Sequence, residues 1–159
     1  CIRDRSWPGA RFEMLHPSAG LPYLGNDSSC VVSVHTAAGR ILLAGDISRA
    51  VEARLLRAGL SRHHVLLVPH HGSNSSSGGA FIERVNPDVA VATAALGNRF
   101  GFPRETVRSR YERRGIDFVA SGECGAIRLR LQRNGKLEAS SARRVRTRIW
   151  RHPVAANCP

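Results

Sequence analysis

Residues 65–77 read VLLVPHHGSNSSS, and the interpretation of the whole chain starts from this stretch. A short run of branched apolar residues is typical of a buried β-strand, and Pro69 ends it. Two adjacent histidines, His70 and His71, follow before a loop of Gly, Ser and Asn. Open α/β sheets place their chemistry at the carboxyl ends of their strands, so this pattern predicts a strand that delivers imidazoles to a functional edge.

A second strand with the same pattern lies upstream, where residues 41–46 read ILLAGD and end in the carboxylate of Asp46. In an arbitrary α/β protein, an Asp just before a helix is favoured as a helix cap, and a helix is predicted from Ser48. The two adjacent histidines favour a metal ligand over a helix cap as the role of Asp46. Side chains alternate along an extended strand, so His70 and His71 cannot both point into the core. An Asp and a His at two strand ends together favour a metal site.

The rest of the chain alternates between short apolar strands and amphipathic helices. Strands are predicted over residues 11–16, 30–36, 40–44, 65–68, 88–93, 116–120, 126–131 and 136–139. Helices are predicted over residues 48–60, 77–85 and 103–114. This order of elements is typical of a layered α/β domain. We expect His35, His63 and His64 to be structural or surface residues.

The length and composition limit the possible classes of protein. A chain of 159 residues suits one domain with a sizeable core. No apolar run approaches the roughly 20 residues of a membrane span, and residues 1–11 lack the apolar core of a secretory signal. The cysteines have no C-x-x-C spacing, which argues against a zinc knuckle. Cys30 and Cys124 are predicted to be small, buried or half-buried residues.

Positive charge is concentrated in the last part of the chain. The formal net charge is +12, with nine basic and seven acidic residues in 1–98 but fifteen basic and five acidic in 99–159. Nearly all of these cations are Arg, whose planar guanidinium matches phosphate oxygens, so a polyanion such as DNA is the natural partner. A solvated basic face is the alternative.

Several motifs, taken together and in order, resemble the metallo-β-lactamase-fold domain of the DNA-internalisation competence proteins, the ComEC/ComA family. They are residues 26–32 (NDSSCVV), 43–47 (LAGDI), 68–76 (VPHHGSNSS) and 81–88 (FIERVNPD), preceded by 7–9 (WPG) with Phe12 and by 15–17 (LHP). The similarity extends over about residues 7–150. It implies an α/β fold, an αββα metallo-β-lactamase-like sandwich with a mixed sheet and flanking helices.

The resemblance also implies a function. Members of this family are inner-membrane channels that move single-stranded DNA into the cell during natural transformation. Their β-lactamase-like domain is thought to be a metal-dependent nuclease that degrades the other strand. The implied partners are therefore DNA and the remainder of the membrane channel protein, and the implied position of the domain is extracytoplasmic at the inner membrane.

By the same analogy, particular residues acquire roles. Asp46 would bridge two divalent metal ions, Zn or Mn, and the His70–His71 pair would supply the last imidazole, with either histidine possible. Asp46 and His71 would be catalytic, and Asp27 would be a ligand or the neighbour of one. Two cations would lower the pKa of a bridging water and clamp the scissile phosphate.

The basic residues would then hold the DNA backbone. The candidates are Arg104, Arg108, Arg110, Arg113 and Arg114 on the predicted helix, Arg128, Arg130 and Arg133 near the hairpin, and Ser73 and Asn74 in the loop. This loop precedes a helix N-terminus, whose amides favour anions.

One departure from the family pattern is large: the motif H-x-[HD]-x-D-H does not occur in this chain. In the family it lies upstream, so residues 1–139 are expected to be the C-terminal portion of the domain and 140–159 a basic tail. The metal is expected only with the missing N-terminal half, and the isolated chain is predicted to be inactive and poorly stable. A metal-free basic module that guides DNA is the alternative. Another hydrolase, such as a lactonase, is disfavoured by the basic C-terminal third.

Overall fold

The computed structural model describes residues 4–145 and 154–159. Nine strands are present in these ranges: β1 (Arg5–Trp7), β2 (Ala10–His16), β3 (Val31–Thr36), β4 (Gly39–Leu43), β5 (Val65–Leu67), β6 (Val89–Ala92), β7 (Asp117–Ala120), β8 (Ile127–Leu131) and β9 (Leu137–Ser141). The α-helices are α1 (Arg49–Arg57), α2 (Gly79–Val85), α3 (Glu105–Glu112), α4 (Ser121–Cys124) and α5 (Ala142–Val145). Gly25–Ser28 and Pro69–Gly72 form 3₁₀ turns.

Strands β1 to β7 form one mixed sheet in which the spatial order equals the chain order. Strands β1 to β4 pair antiparallel, whereas β4 to β7 pair parallel. The parallel half consists of strands that read as nearly continuous apolar runs, because a parallel sheet is covered on both faces. The mixed sheet with flanking helices confirms the predicted α/β fold class.

Helices α1, α2 and α3 pack on one face of this sheet. Leu42, Leu66, Ala90 and Phe118 occupy one row across β4 to β7 and belong to the main core. Residues of α1, α2 and α3 complete that core, which also contains Val51, Leu55, Phe81, Ile82, Val107 and Tyr111. Ser48 caps α1, because its side chain accepts a hydrogen bond from the N–H of Ala50.

The hairpin of β8 and β9 lies over the opposite face. Ile127 and Leu129 pack with the second core cluster while Arg128 and Arg130 are exposed, as the alternating pattern predicts. Between the hairpin and the sheet lies an apolar cavity of about 350 Å³. It is lined by Ile41, Leu43, Val65, Leu67 and Val91 of the sheet and by Ile127, Leu129, Leu131 and Leu137 of the hairpin. Packing on this face is therefore looser than on the helical face.

A disulfide between Cys124 and Cys158 ties the C-terminal segment to α4. The backbone N–H of Ser141 also donates to the carbonyl of Pro159 (3.0 Å). The expected boundary between residues 139 and 140 lies inside β9, and part of the expected basic tail, 146–153, lies outside the described residues. The prediction for Cys30 was wrong. It is exposed because it precedes β3, whose first residue, Val31, takes the buried position.

Most other differences from the predicted elements concern their ends. Strand β1 was missed because three exposed residues carry no periodic signal. Helix α3 is shorter than the predicted range 103–114. His63 is 1% exposed and bonded to Ser33, which confirms a structural role. Within residues 4–145 and 154–159, the structure contains no helix with the length and apolarity of a membrane span.

Candidate metal centre and nucleic-acid interface

The site lies where the parallel strands β4 and β5 end side by side. Leu43 is paired with Leu67, so the segments that follow both strands leave the sheet together. The N–H of His70 donates to the carbonyl of Gly45 (2.9 Å) and joins these segments. Gly45 has φ +60°, and a Cβ there would lie 2.8 Å from Cβ of Ser29. A glycine is therefore required at this close approach.

Both histidines adopt an uncommon backbone conformation. His70 has φ 48° and His71 has φ 55°, in a 3₁₀ turn after the strand. Residues other than glycine seldom take positive φ, and such positions concentrate at functional sites. Neither histidine is buried in the core, as expected, but the reason is this turn after the strand and not the alternation of side chains along it. The turn is fixed by Ser76, whose hydroxyl donates to the carbonyl of Pro69 (3.0 Å).

The ring of His71 faces Asp46. Its Nδ1 lies 2.6 Å from the backbone carbonyl of Thr93. A carbonyl only accepts hydrogen bonds, so Nδ1 carries a proton, and in the neutral ring Nε2 presents its lone pair. Nε2 lies 3.5 Å from Oδ1 of Asp46, and the two side chains are 44% and 40% exposed. Metal-binding histidines are oriented in this manner, by donating the other ring N–H to a carbonyl or carboxylate.

The ring of His70 has a different environment. Its Nε2 lies 3.2 Å from Nδ2 of Asn26 and its Nδ1 lies 3.2 Å from Oγ of Ser75. Because the amide of Asn26 donates, Nε2 of His70 accepts and its lone pair is engaged. The ring also makes an edge contact with Phe102, at 5.9 Å between centroids. Of the two histidines, His71 is thus the one with an available lone pair beside Asp46.

Asp27 is engaged with the start of helix α1. Its Oδ1 accepts from the backbone N–H of Ser48 (2.8 Å) and its Oδ2 from the Ser48 hydroxyl (2.9 Å). The Ser48 hydroxyl in turn accepts from the N–H of Ala50. Ser48 therefore caps the helix, which leaves the Asp46 carboxylate without a capping role.

The donor set that these residues offer is incomplete for a metal centre. Catalytic zinc sites use three protein ligands and structural sites use four. Asp46 and His71 supply two donors of suitable type, and their separation is close to the roughly 3.3 Å between neighbouring ligands of a tetrahedral zinc ion. In the part of the chain that the structure describes, no group of three or more His, Cys, Asp or Glu side chains is arranged to hold a metal.

In the loop expected to bind an anion, two backbone N–H groups already donate to a carboxylate of this chain. The carboxylate of Glu52 accepts from the backbone N–H groups of Ser77 (2.6 Å) and Gly78 (2.9 Å), directly before α2. Glu52 is 2% exposed, and burial raises the pKa of its carboxyl while the two amide bonds lower it. Glu52 therefore occupies the two amides nearest this helix start, whereas the prediction that Ser73 and Asn74 bind DNA is not tested by these contacts.

The polar residues of the same loop contact α3. Asn74 accepts hydrogen bonds from the Thr106 hydroxyl (2.6 Å) and from Arg110 (3.4 Å). The hydroxyl of Ser73 lies 3.0 Å from that of Ser75. These contacts tie the loop after the histidines to the basic helix.

The arginines predicted to bind DNA fall into two groups. Four of them make bonds within the protein: Arg108 with Glu123, Arg110 with the carbonyls of Ser76 and Ser77, Arg113 with the carbonyl of Ser109, and Arg114 with that of Arg110. Arg108 is only 13% exposed. Arg104, Arg128, Arg130 and Arg133 are exposed.

Sequence reasoning missed four residues that shape this edge. Thr93 follows the third parallel strand, β6, and its position at a strand end was a usable signal. Asn26 belongs to a polar cluster that the sequence marks as a turn. Phe100 and Phe102 lie in a loop without periodicity, so no local pattern connects them with His70.

The sequence of this chain is similar to a known protein family and to several named proteins. The model of the metallo-beta-lactamase superfamily matches residues 2–94. The chain is 35% identical over 138 residues to competence protein ComA of Neisseria gonorrhoeae, covering 85% of this chain and 20% of that protein. It is 30% identical over 141 residues to recombination protein 2 of Haemophilus influenzae, covering 89% of this chain and 18% of that protein. It is 31% identical over 121 residues to ComE operon protein 3 of Bacillus subtilis, covering 76% of this chain and 16% of that protein. The chain thus spans about a fifth of the length of these relatives.

Proposed function

This chain belongs to the metallo-β-lactamase superfamily, and we propose that it forms part of a metal-dependent phosphodiesterase domain that cleaves DNA during DNA uptake. The observation that carries the proposal is the pairing of His71 with Asp46. The Thr93 carbonyl fixes the ring with its protonated Nδ1 turned away, and Nε2 lies 3.5 Å from the carboxylate. Similarity to a protein named for competence, ComA of Neisseria gonorrhoeae, supports the role in DNA uptake.

Among the residues that the structure describes, Asp46 and His71 are the two that would hold a divalent cation, Zn or Mn. When bound, such a cation supplies Lewis-acid activation of water and neutralises charge on a phosphate. The remaining ligands would come from a part of the longer protein that this chain does not contain, as an H-x-[HD]-x-D-H segment. Asp27 takes a supporting role in this proposal, since both of its oxygens already accept hydrogen bonds from Ser48.

The residues around the pair keep it in position. His70 bonds to Asn26 and Ser75 and so links the turn to the segment before β3. It acts as a positioning residue for His71, its neighbour in the strained turn. Exposed cations near the site, Arg104 above all, would hold the DNA backbone, with Arg128 and Arg130 contributing from the hairpin.

We assign the domain an extracytoplasmic position, with the rest of a membrane channel protein as its partner. The Cys124–Cys158 disulfide supports this assignment, because disulfides persist in oxidising compartments and are rare in the cytosol. Residues 1–139 would form the C-terminal portion of the hydrolase domain, followed by the basic segment 140–159.

The test uses a longer protein in which this sequence follows an H-x-[HD]-x-D-H segment, as the proposal requires. Asp46→Ala and His71→Ala are compared with His64→Ala, a half-buried histidine remote from the site. We expect the first two variants to lose Mn²⁺ binding, measured by calorimetry, and cleavage of labelled DNA by at least 100-fold. Retention of both properties in either variant would overturn the proposal.

A second function, a metal-free module that guides DNA by arginine–phosphate contacts, is favoured by one observation. The described residues supply only two metal donors, while Arg128 and Arg130 project from β8. This function predicts salt-sensitive DNA affinity that persists in Asp46→Ala and His71→Ala, without metal-dependent cleavage.

A further inference from the structure

An exposed row of aromatic rings begins at the metal-site turn and extends outward along the loop of residues 94–104. The ring of Phe102 contacts His70 at 5.9 Å between centroids. Phe100 stacks on Phe102 at 5.6 Å with an interplanar angle of 21°. Phe100 is 51% exposed, although a large apolar ring is normally removed from water. The row therefore presents an aromatic surface next to the turn that carries His70 and His71.

Two guanidinium groups flank these rings. The Cζ atom of Arg99 lies 4.7 Å from the centroid of Phe100, and that of Arg104 lies 5.7 Å from Phe102. In residues 4–145 and 154–159, neither group pairs with a carboxylate, in contrast to Arg108, which pairs with Glu123. Both cations are exposed and are available to an anion that approaches the rings.

The loop that carries the rings is held in one shape by Asn98. Its Nδ2 donates to the carbonyls of Ala95 (2.8 Å) and Phe102 (2.6 Å). Its Oδ1 accepts from the N–H groups of Phe100 (3.2 Å) and Phe102 (3.0 Å). A preorganised loop loses little entropy when a ligand binds, which is what a recognition surface requires.

The same loop is anchored on the histidine turn. The N–H of Arg104 donates to the carbonyl of Gly72 (3.0 Å). A Cβ at Gly72 would lie 2.6 Å from Cβ of Pro103, so the two backbones are in direct contact. The position of the aromatic row relative to His71 is thus set by backbone contacts.

We propose that Phe100, Phe102, Arg99 and Arg104 form a stacking surface for the unpaired bases of single-stranded DNA beside the metal site. Bases stack on aromatic rings and on guanidinium planes, and the cations are placed to neutralise the phosphates between them. A base inside a duplex is stacked on its neighbours and cannot use such a surface. The inference rests on the proposed function, since it names the form of DNA that the site receives.

The test measures binding of a fluorescein-labelled oligothymidylate and of a duplex of equal length to this chain by anisotropy, with EDTA present. Phe100→Ala should weaken oligothymidylate binding by about 5- to 100-fold and duplex binding by less than twofold. Leu96→Ala is the matched control, because Leu96 is 48% exposed in the same loop and should leave both affinities unchanged. Phe100→Trp should retain affinity, and its added fluorescence should be quenched by the bound thymines.

Unchanged oligothymidylate affinity in Phe100→Ala would overturn the inference, as would an equal loss for the duplex or the absence of binding by the parent chain. Binding to anionic lipid vesicles that depends on Phe100, without an effect on oligothymidylate, would instead identify a membrane contact. Because EDTA removes metal ions, these outcomes are independent of the Asp46 and His71 variants. The proposal of a stacking surface and the proposal of a metal centre can therefore be contradicted independently of each other.

Discussion

The Nε2 atom of His71 lies 3.5 Å from Oδ1 of Asp46, while Nδ1 of the same ring donates to the Thr93 carbonyl. Three consecutive strand ends of the parallel half thus contribute to one arrangement: β4 through Asp46, β5 through His71 and β6 through Thr93. The distance is too long for a strong hydrogen bond and is suited to two donors that share a cation.

The two histidines should differ in their contribution to metal binding. In the longer protein, His71→Ala should abolish Mn²⁺ binding because it removes a ligand. His70→Ala should weaken binding by about 10- to 100-fold, the usual effect of losing a group that orients a ligand. Calorimetric titration measures both. The assignment is contradicted if His70→Ala has the larger effect.

The isolated chain should show no cleavage of DNA in the presence of Mn²⁺ or Zn²⁺. Its described residues offer two donors, fewer than the three protein ligands of a catalytic zinc site. Incubation of labelled single- and double-stranded DNA with each metal provides the measurement. Cleavage that persists after repurification and is lost in Asp46→Ala would show that two donors suffice.

Glu52 should be important for stability even though it lies away from the proposed chemistry. Glu52→Ala leaves the buried amides of Ser77 and Gly78 without acceptors, so the free energy of unfolding should fall by about 2–4 kcal/mol. Urea denaturation followed by circular dichroism gives the value. Glu83→Ala, an exposed change on α2, should alter it by less than about 0.5 kcal/mol. Similar values for the two variants would count against the role of Glu52.

His63 should make the fold less stable on acidification. Burial lowers the pKa of His63, and its ring lies between the Ser61 carbonyl and the Ser33 hydroxyl. The unfolded chain takes up a proton near pH 6.5 whereas the folded chain resists it. The contribution of His63 is thus present above pH 6.5 and is lost as the pH falls through the folded pKa. Between pH 6.5 and 5.5 we expect a loss of at most about 1 kcal/mol.

The control for this pH dependence is His63→Gln, which cannot titrate. Urea denaturation at several pH values should show a weaker dependence in the variant than in the parent chain over this range. Equal slopes would mean that other groups cause the loss.

The disulfide should stabilise the domain through the unfolded state. Cys124 and Cys158 are 34 residues apart, and closing a loop of that size is worth about 3–4 kcal/mol in the chain-entropy model. Dithiothreitol should therefore lower the midpoint of thermal unfolding of the parent chain. The double variant Cys124→Ser with Cys158→Ser should unfold at the lower temperature and should not respond to dithiothreitol. A parent chain insensitive to the reductant would contradict this.

Local patterns were enough for the fold class and for the residues nearest the proposed chemistry. The apolar runs at β4, β5, β6 and β7 predict buried strands, and Asp46 and the His70–His71 pair come shortly after two of these runs. The roles of Glu52 and Phe100 were not visible, because neither position has a local signal. Glu52 accepts hydrogen bonds from amides 25 and 26 residues away. Phe100 stacks on Phe102, which contacts His70, and no local pattern predicts these contacts.

The sequence by itself determined the α/β class, the approximate positions of most strands and the candidate donors, since these depend on periodicity and on the residue type at each strand end. Only the tertiary structure decided which histidine faces Asp46, which arginines are already paired and what occupies the amides before α2. Those outcomes depend on hydrogen bonds between residues distant in the chain. The positive-φ turn after Pro69, which aims His71 at Asp46, is stabilised by such contacts and has no counterpart in local residue preference.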